Sequence, residues 1–322
     1  KIYTGTGSSN SITLDGSENM QPDWVWIKSR SDAQSNNIFD SVRGAGELIF
    51  TDAGNAESTA TNRLTAFNSD GFTVISDNAV NGSSKTYVAW CWKAGGSASS
   101  NSNGSISSSV SANTTAGFSI VSWSGSGANA TIGHGLGAEP KIIFLKIRTG
   151  TNNWQVYSKS IGSGNALFLN TTDASGSNTG WQSTDATSSV FYVSDGTAVN
   201  GSGQDLIAYC FAEKKGYSKF GSYTANGNAD GTFIYTGFRP AYVMIKRTDS
   251  SQQWGIVDSK RDVDNPAQHH LFAEADQGEG GASSYNNFDL LSNGIKMRSN
   301  DQWTNASGGT YVYMAFAESP FV

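Results

Sequence analysis

The chain contains three copies of one short segment: Pro22-Asp-Trp-Val-Trp-Ile-Lys28, Pro140-Lys-Ile-Ile-Phe-Leu-Lys146 and Pro240-Ala-Tyr-Val-Met-Ile-Lys246. Each copy carries large apolar residues at the same offset from its proline. Proline has no N–H to donate, so it is tolerated at the first residue of a strand. Runs that are apolar on both faces favour central strands covered from both sides. The segment therefore predicts one β-unit copied three times.

Other landmarks recur around these segments in constant order. An aromatic residue followed by a glycine turn precedes each proline, and a second apolar strand closes each unit. The three pairs are Tyr3-Thr-Gly-Thr-Gly7 with Tyr87-Val-Ala-Trp-Cys-Trp92, Trp123-Ser-Gly-Ser-Gly127 with Leu206-Ile-Ala-Tyr-Cys-Phe211, and Tyr223-Thr-Ala-Asn-Gly227 with Tyr311-Val-Tyr-Met-Ala-Phe316. The prolines are 118 and 100 residues apart, far more than the roughly 20–50 residues of a solenoid repeat. Each copy is long enough to be a small domain.

Composition indicates an all-β protein. The 322 residues are 37% apolar and 15% charged, with 37 glycines, which favours many short strands joined by turns. A net charge of −6 argues against a nucleic-acid partner, because such binding needs clustered Lys and Arg. The longest apolar runs, about seven residues, are too short for a membrane helix of roughly 20 residues. Nothing at the N-terminus resembles a signal peptide, and a start at Lys1 predicts a trimmed or processed chain.

These landmarks divide the chain into β-sandwich units at 1–94, 118–215 and 216–322, called here the first, second and third units. Residues 95–117 are rich in Gly, Ser and Asn, which predicts a flexible linker. The alternative is a polar edge strand around residues 105–111. Cys91 and Cys210 occupy the same position of the closing strand, which predicts two buried small-residue positions. A disulfide is not expected, because equivalent positions of separate units should lie far apart.

The sequence offers no assembled catalytic or metal-binding motif. His134 lies in a glycine-rich turn and suggests a backbone role. His269 and His270 are adjacent, so on a strand they would point to opposite faces, and no nearby ligand completes a metal site. The calcium-like string at residues 226–231 lacks the distal bidentate glutamate. We therefore expect a protein that is not an enzyme, with no catalytic residue, metal or cofactor.

Aromatic residues are the more informative group. Most tryptophans fall on the repeated strands and are expected in the core or between sheets. Trp181 and Trp303 lie instead in polar segments, Asn178-Thr-Gly-Trp-Gln-Ser and Asp301-Gln-Trp-Thr-Asn. An aromatic ring among amides and hydroxyls is typical of sugar-binding surfaces. Trp181 and Trp303 are therefore the predicted ligand-binding residues.

Several strings resemble a largely uncharacterised repeat family of bacteriophage tail-fibre and other virion structural proteins from marine and freshwater phages. They are Pro22-Asp-Trp-Val-Trp-Ile-Lys28, Phe39-Asp-Ser-Val-Arg-Gly44, Phe67-Asn-Ser-Asp-Gly-Phe-Thr-Val74, Tyr87-Val-Ala-Trp-Cys-Trp-Lys-Ala94, Gly216-Tyr-Ser-Lys-Phe-Gly-Ser-Tyr223 and Phe233-Ile-Tyr-Thr-Gly-Phe-Arg-Pro-Ala-Tyr-Val-Met-Ile-Lys246. The resemblance covers essentially the whole chain. It implies a virion protein built from three tandem lectin-like, jelly-roll type sandwiches, and it offers no catalytic residues.

Three functions follow as expectations. The first is a tail-fibre or receptor-binding component on the extracellular virion, with other virion proteins and a host surface glycan or receptor as partners. The second is an architectural capsid-decoration or tail accessory protein. The third is a tail enzyme that degrades polysaccharide, which ranks last because no acidic pair stands out. Neither nucleic acid nor membrane insertion is expected. Fibre proteins are usually homotrimers, but three units in one chain could also form an intramolecular pseudo-trimer.

Overall fold

The computed structural model describes residues 1–280 and 287–318. Its strands pair antiparallel and form six sheets in this described part, so the all-β prediction is confirmed. The helices are single turns: α1 (Asn78–Asn81), α2 (Thr197–Asn200) and a 3₁₀ turn at Lys159–Ile161. None of the helices in the described residues is long and apolar enough to cross a membrane.

The first unit contains a six-stranded and a three-stranded sheet. Its strands are β1 (Ile2–Thr4), β2 (Asn10–Thr13), β3 (Trp24–Ser29), β4 (Asn37–Asp40), β5 (Glu47–Phe50), β6 (Ser58–Thr59), β7 (Leu64–Asn68), β8 (Gly71–Val74) and β9 (Thr86–Trp92). The larger sheet has the order β1-β9-β3-β4-β5-β6, and the smaller has the order β2-β8-β7. The proline-led strand β3 is thus central, as its apolar run predicts.

The second unit repeats this order, and residues 95–117 add two edge strands to its large sheet. Its strands are β10 (Ser99–Asn101), β11 (Ser108–Asn113), β12 (Phe118–Ser124), β13 (Ala130–Gly133), β14 (Pro140–Ile147), β15 (Gln155–Ser158), β16 (Asn165–Phe168), β17 (Gly176–Ser177), β18 (Val190–Val193) and β19 (Asp205–Ala212). The larger sheet is β10-β11-β12-β19-β14-β15-β16-β17, and β13 pairs with β18.

The third unit has the simplest pair of sheets. Its strands are β20 (Ser218–Thr224), β21 (Phe233–Tyr235), β22 (Pro240–Arg247), β23 (Trp254–Asp258), β24 (Leu271–Phe272), β25 (Phe288–Leu291), β26 (Gly294–Met297) and β27 (Thr310–Ala317). The larger sheet is β20-β27-β22-β23-β24, and the smaller is β21-β26-β25.

Residues 95–117 are not a flexible linker. They supply β10 and β11, which extend the large sheet of the second unit beyond β12. The strand alternative therefore describes this segment, although the strand β11 lies a few residues later than expected. Its serines contribute hydrogen bonds in place of apolar area, and Ser108 Oγ donates to the Gly133 carbonyl at 2.8 Å. Main-chain pairing thus orders a segment whose side chains alone could not.

The register of the central strands is the same in the three units. In each unit, the fifth residue of the proline-led segment pairs with the same position of the closing strand. The three pairs are Trp26 with Trp90, Phe144 with Tyr209, and Met244 with Met314. This correspondence is consistent with tandem sandwich repeats, and the boundaries of the units stay predictions. Cys91 and Cys210 also occupy equivalent positions, opposite Val25 and Ile143, and both are free thiols.

In the described ranges, apolar side chains form four cores. Three of them lie between the large and the small sheet of one unit. The fourth, called here the common core, is built from the opposite faces of all three large sheets. The equivalent residues Trp92, Phe211 and Phe316 contact one another, with ring centroids 6.3, 5.5 and 6.0 Å apart. The three large sheets therefore surround one pseudo-threefold axis, and each unit contributes to the common core in addition to its own sandwich core.

Candidate functional site

The predicted ligand contacts Trp181 and Trp303 lie inside the sandwiches. Trp181 is 1% exposed and packs edge-on against Tyr157 in the core of the second unit. Trp303 is 4% exposed, and its ring covers Gly255, where a Cβ atom would lie 2.0 Å from the ring. Both indoles turn inward, and the polar neighbours Thr304 and Asn305 are buried together with Trp303. Neither ring face is available to a sugar, so the structure does not support these two residues as ligand contacts.

The histidines and the calcium-like string make protein contacts. His134 Nε2 lies 3.1 Å from the Thr187 carbonyl, the Leu136 amide donates to Nδ1, and burial lowers the pKa of His134 to about 4. His269 Nδ1 lies 2.6 Å from the Asp262 carboxylate. Asp230 of the calcium-like string forms an ion pair with Lys296 at 2.7 Å. No cluster of three or more His, Cys, Asp or Glu with metal-site geometry occurs in the described ranges.

The lysine that ends each repeated segment joins two units. Lys28 Nζ donates to the carbonyl of Asp276 in the third unit at 2.9 Å. The equivalent contacts are Lys146 to Gly54 at 3.2 Å and Lys246 to Thr172 at 3.1 Å. Burial lowers the pKa of each lysine to about 8. Each unit thus donates to the preceding one, and the first donates to the third, so the contacts close a ring.

A second set of hydrogen bonds closes the same ring. The Trp154 indole N–H donates to the Phe50 carbonyl at 2.8 Å, and Trp254 donates to Phe168 at 2.9 Å. In the first unit Asn36 occupies the equivalent position and donates its side-chain amide to the Phe272 carbonyl at 3.1 Å. The smaller Asn36 side chain is supported by Trp26, whose indole N–H donates to its oxygen at 2.9 Å.

A network of carboxylates and guanidinium groups distinguishes two junctions from the third. Between the first and second units, Arg43 binds Asp40 at 2.5 Å and Glu57 at 2.9 Å, and Arg148 of the second unit binds Glu57 at 2.7 Å. The junction between the third and first units repeats this network with Asp258, Arg261, Glu279 and Arg30.

At the junction between the second and third units, the positions of this network carry uncharged residues. The equivalent positions are Ser158, Ile161, Ser175 and Thr248, and the link that remains is the Ser175 amide and hydroxyl donating to the Thr248 carbonyl at 2.8 and 2.9 Å. At this junction, uncharged residues replace all four charged residues of the network. The network therefore behaves as one unit that is either fully charged or fully neutral, as expected where a lone buried charge is costly.

An exposed aromatic pair lies on the small sheet of the third unit. Phe233 and Tyr235 are 44% and 65% exposed, and alternation along β21 directs Ile234 into the core and the two rings outward. The structure exposes one other large hydrophobic residue in its described part, Val263. The register places Ser11 and Thr13 at the equivalent positions of the first unit, and Thr131 and Gly133 in the second.

Polar groups surround these two rings. Lys296 lies opposite Phe233, and Asp289 lies opposite Lys296 on the same face. The Phe233 ring packs over Gly294, which has no side chain. A Cβ atom at Gly294 would lie 2.8 Å from this ring. We define the aromatic patch as Phe233, Tyr235, Lys296 and Asp289. It presents two ring surfaces beside charged groups, which suits contact with a partly apolar, partly polar ligand.

The fold and these sites can be set beside known proteins. The chain belongs to the family described as "Domain of unknown function (DUF7483)", whose model matches residues 1–320. No curated protein and no solved structure matches the chain. The family assignment covers all three units together, and its description names no activity.

Proposed function

We propose that this protein is a non-enzymatic structural protein of a bacteriophage virion that contacts the host surface, as a tail-fibre or receptor-binding component. The observation that carries the binding role is the aromatic patch, because two exposed rings occur on one of three equivalent sheet faces. The other two faces carry mainly hydroxyl side chains at the matching positions. Packing within the fold does not require these rings, so a contact outside the chain accounts for them better.

The chemistry of the aromatic patch favours a glycan or a surface protein as the ligand. Ring faces stack on the apolar faces of sugars or on protein side chains, while the ion pairs Lys296–Asp230 and Arg298–Asp289 place charged groups beside them. The patch replaces Trp181 and Trp303 as the candidate ligand-binding residues. Tyrosine supplies a large contact area at low entropic cost, which suits adaptable recognition surfaces.

Binding to fixed marine and freshwater bacterial cells and to a glycan array tests this role. The double variant F233S/Y235T copies the side chains of the first unit, and it should bind at least about ten-fold more weakly, as expected when contact residues at the centre of an interface are lost. V263S, which removes the exposed apolar residue elsewhere, is the matched control and should bind like the unmodified protein. Unchanged binding by F233S/Y235T to cells or glycans that capture the unmodified protein would refute the assignment.

The ring of three units supports an architectural role as the second candidate. The three units share a common core, and the lysine contacts between them close a ring. One chain thus has an arrangement that resembles a trimer of separate subunits. Such a body suits capsid decoration or a tail accessory position. Labelling the particle with an antibody against this chain and imaging it by electron microscopy separates the two roles, since decoration of the capsid would exclude a place at the fibre tip.

A further inference from the structure

Each ring of the aromatic patch leans over a glycine. The outer edge of the Phe233 ring rests against Gly294, and the outer end of Tyr235 rests against Gly237, where a Cβ atom would lie 3.5 Å from the tyrosine hydroxyl. The two rings therefore lie along the sheet surface instead of extending into solvent. One side of each ring faces the backbone, and the other side stays open, since 44% and 65% of the two residues are exposed.

The backbone beneath Tyr235 is held in one conformation. Gly237 has a φ of +83°, which favours glycine. The Thr236 and Gly237 amides both donate to the Asn293 carbonyl, at 3.0 and 3.2 Å, and Thr236 Oγ1 donates to the Phe238 carbonyl. A binding surface that is ordered before the ligand arrives loses less entropy on binding. The aromatic patch is thus preorganised for a ligand with a flat apolar face.

The charged groups beside the rings are paired with one another. Lys296 Nζ binds the Asp230 carboxylate at 2.7 Å and donates to the Gly231 carbonyl at 2.6 Å. Arg298 Nε binds Asp289 at 2.5 Å. Two cations and two carboxylates cancel, so this surface carries no excess charge for an ionic ligand. The Asp230 side chain is 90% exposed, and because a carboxylate accepts several hydrogen bonds, it keeps acceptor sites for hydroxyl groups.

The equivalent face of the first unit lacks this arrangement. Its residue at the position of Gly294 is also a glycine, Gly71, so the glycine alone does not mark a binding site. On that face the Thr73 hydroxyl lies 3.1 Å from the Ser11 hydroxyl and accepts the Asn68 side-chain amide at 3.0 Å. The polar side chains of the first unit thus bind one another, whereas the rings of the third unit expose their outer faces.

The exposed aromatic area is small for a protein partner. A large aromatic side chain buries about 150–250 Å² when fully covered, so the exposed fractions of Phe233 and Tyr235 together amount to roughly 200 Å². A stable protein interface takes about 800 Å² from each partner. Ser292 and Asn293, in the turn before Gly294, are exposed and polar. The surface therefore matches a sugar ring, with its flat apolar face and surrounding hydroxyl groups, better than it matches a protein.

We propose that the aromatic patch binds a pyranose ring of a neutral glycan. The open faces of Phe233 and Tyr235 stack on the apolar face of the sugar, while Asp230 at one end and Asn293 at the other bond its hydroxyl groups. This inference rests on the proposed host-binding function and selects a glycan over a surface protein as the ligand. A neutral glycan is favoured over an anionic one because both cations beside the rings are already paired.

Affinity electrophoresis through gels that contain dextran, mannan or a neutral galactan tests the ligand class. At least one of these polymers should retard the unmodified protein, and V263S should migrate like it. F233L/Y235L keeps two exposed apolar side chains but no ring, so its affinity should fall about ten-fold or more. F233Y/Y235F, which exchanges the two rings, should bind about ten-fold more tightly than the leucine variant. Undiminished affinity of the leucine variant, or no retardation in any of the three gels, would overturn the proposal.

Pretreatment of cells that capture the protein separates this inference from the proposed function. Periodate, which cleaves sugar diols, should abolish capture, and a protease should leave it unchanged. The opposite result, together with weaker capture of F233S/Y235T, would identify a surface protein as the ligand. It would overturn the glycan and leave the host-binding role in place. Capture should also persist near 1 M salt, where the Debye length is roughly 3 Å; its loss there would indicate a charged ligand and overturn the proposal.

Discussion

The substitution Asp40→Ser tests whether the charged network at the junction of the first and second units acts as one unit. Asp40 binds the guanidinium of Arg43, which has no exposed side-chain surface, and it accepts a hydrogen bond from Tyr209 of the second unit at 2.6 Å. The exchange leaves Arg43 with Glu57 as its remaining carboxylate partner. Serine is the residue that the junction between the second and third units carries at this position, Ser158.

The expected loss is large for a single polar substitution. Breaking a buried ion pair by removing one partner costs about 3–5 kcal/mol. Because Glu57 still binds Arg43 at 2.9 Å, we expect a loss in the free energy of unfolding near the lower end, about 3 kcal/mol. The unpaired Tyr209 hydroxyl adds about 1 kcal/mol.

The double variant D40S/R43I removes the stranded charge and copies Ser158 and Ile161. Replacing a buried ion pair by well-packed apolar groups is often neutral or stabilising. Glu57 keeps Arg148, which binds it through two nitrogens at 3.0 and 2.7 Å. The double variant should therefore be more stable than D40S by about 2 kcal/mol, while Tyr209 loses the same acceptor in both variants.

Urea unfolding followed by tryptophan fluorescence measures these differences, provided that the slope of the transition is unchanged. The pair D258S and D258S/R261I supplies a matched test at the junction of the third and first units, where Arg261 binds Asp258 at 2.6 Å. If each double variant has a lower free energy of unfolding than its single variant, the two losses add and the network is not a coupled unit. This outcome at both junctions would refute the reasoning.

Two further outcomes follow from the same contacts. Because all three units share the common core, thermal unfolding should give one calorimetric transition whose van't Hoff and calorimetric enthalpies agree; three separable transitions would contradict the shared core. Glu274 accepts the Trp254 amide at 3.0 Å, as Asn170 accepts that of Trp154, and burial raises the pKa of Glu274 to about 7. Its stabilising contribution is complete below pH 4.5 and is lost as pH rises to about 7. The difference in the free energy of unfolding between the unmodified protein and E274Q should therefore fall by about 3 kcal/mol across that window. A constant difference would refute the buried-acid interpretation.

The repeated segments made the fold class predictable. A proline at the strand start, an apolar run and a fixed order of landmarks are local properties, and they correctly predicted that Trp26, Phe144 and Met244 are equivalent. The same alignment predicted that Cys91 and Cys210 are unbridged. The lysine ending each segment was visible in the sequence, but its bond to another unit was not, because that bond depends on how the sheets face each other.

The candidate ligand contacts could not be predicted in the same way. Trp181 and Trp303 have polar neighbours in the sequence, but loop composition does not determine where one side chain points, and Gly255 provides space for Trp303 from far along the chain. Phe233 and Tyr235 were part of a quoted segment, and their alternation around Ile234 was the signal that could have marked them as outward-facing. Their significance depends on comparison with Ser11 and Thr131, which only the strand register aligns.

The sequence by itself determined the all-β character, the central strands and the equivalence of three segments, because strand patterning is set by neighbours one and two residues apart. Only the tertiary structure decided that the three large sheets bury one common core, and that the carboxylate–guanidinium network forms at two junctions and is replaced by uncharged residues at the third. Those features depend on pairs of residues about 100 or more positions apart, such as Tyr209 with Asp40. A one-dimensional pattern specifies which side chains are buried, but the packing of sheets specifies what they are buried against.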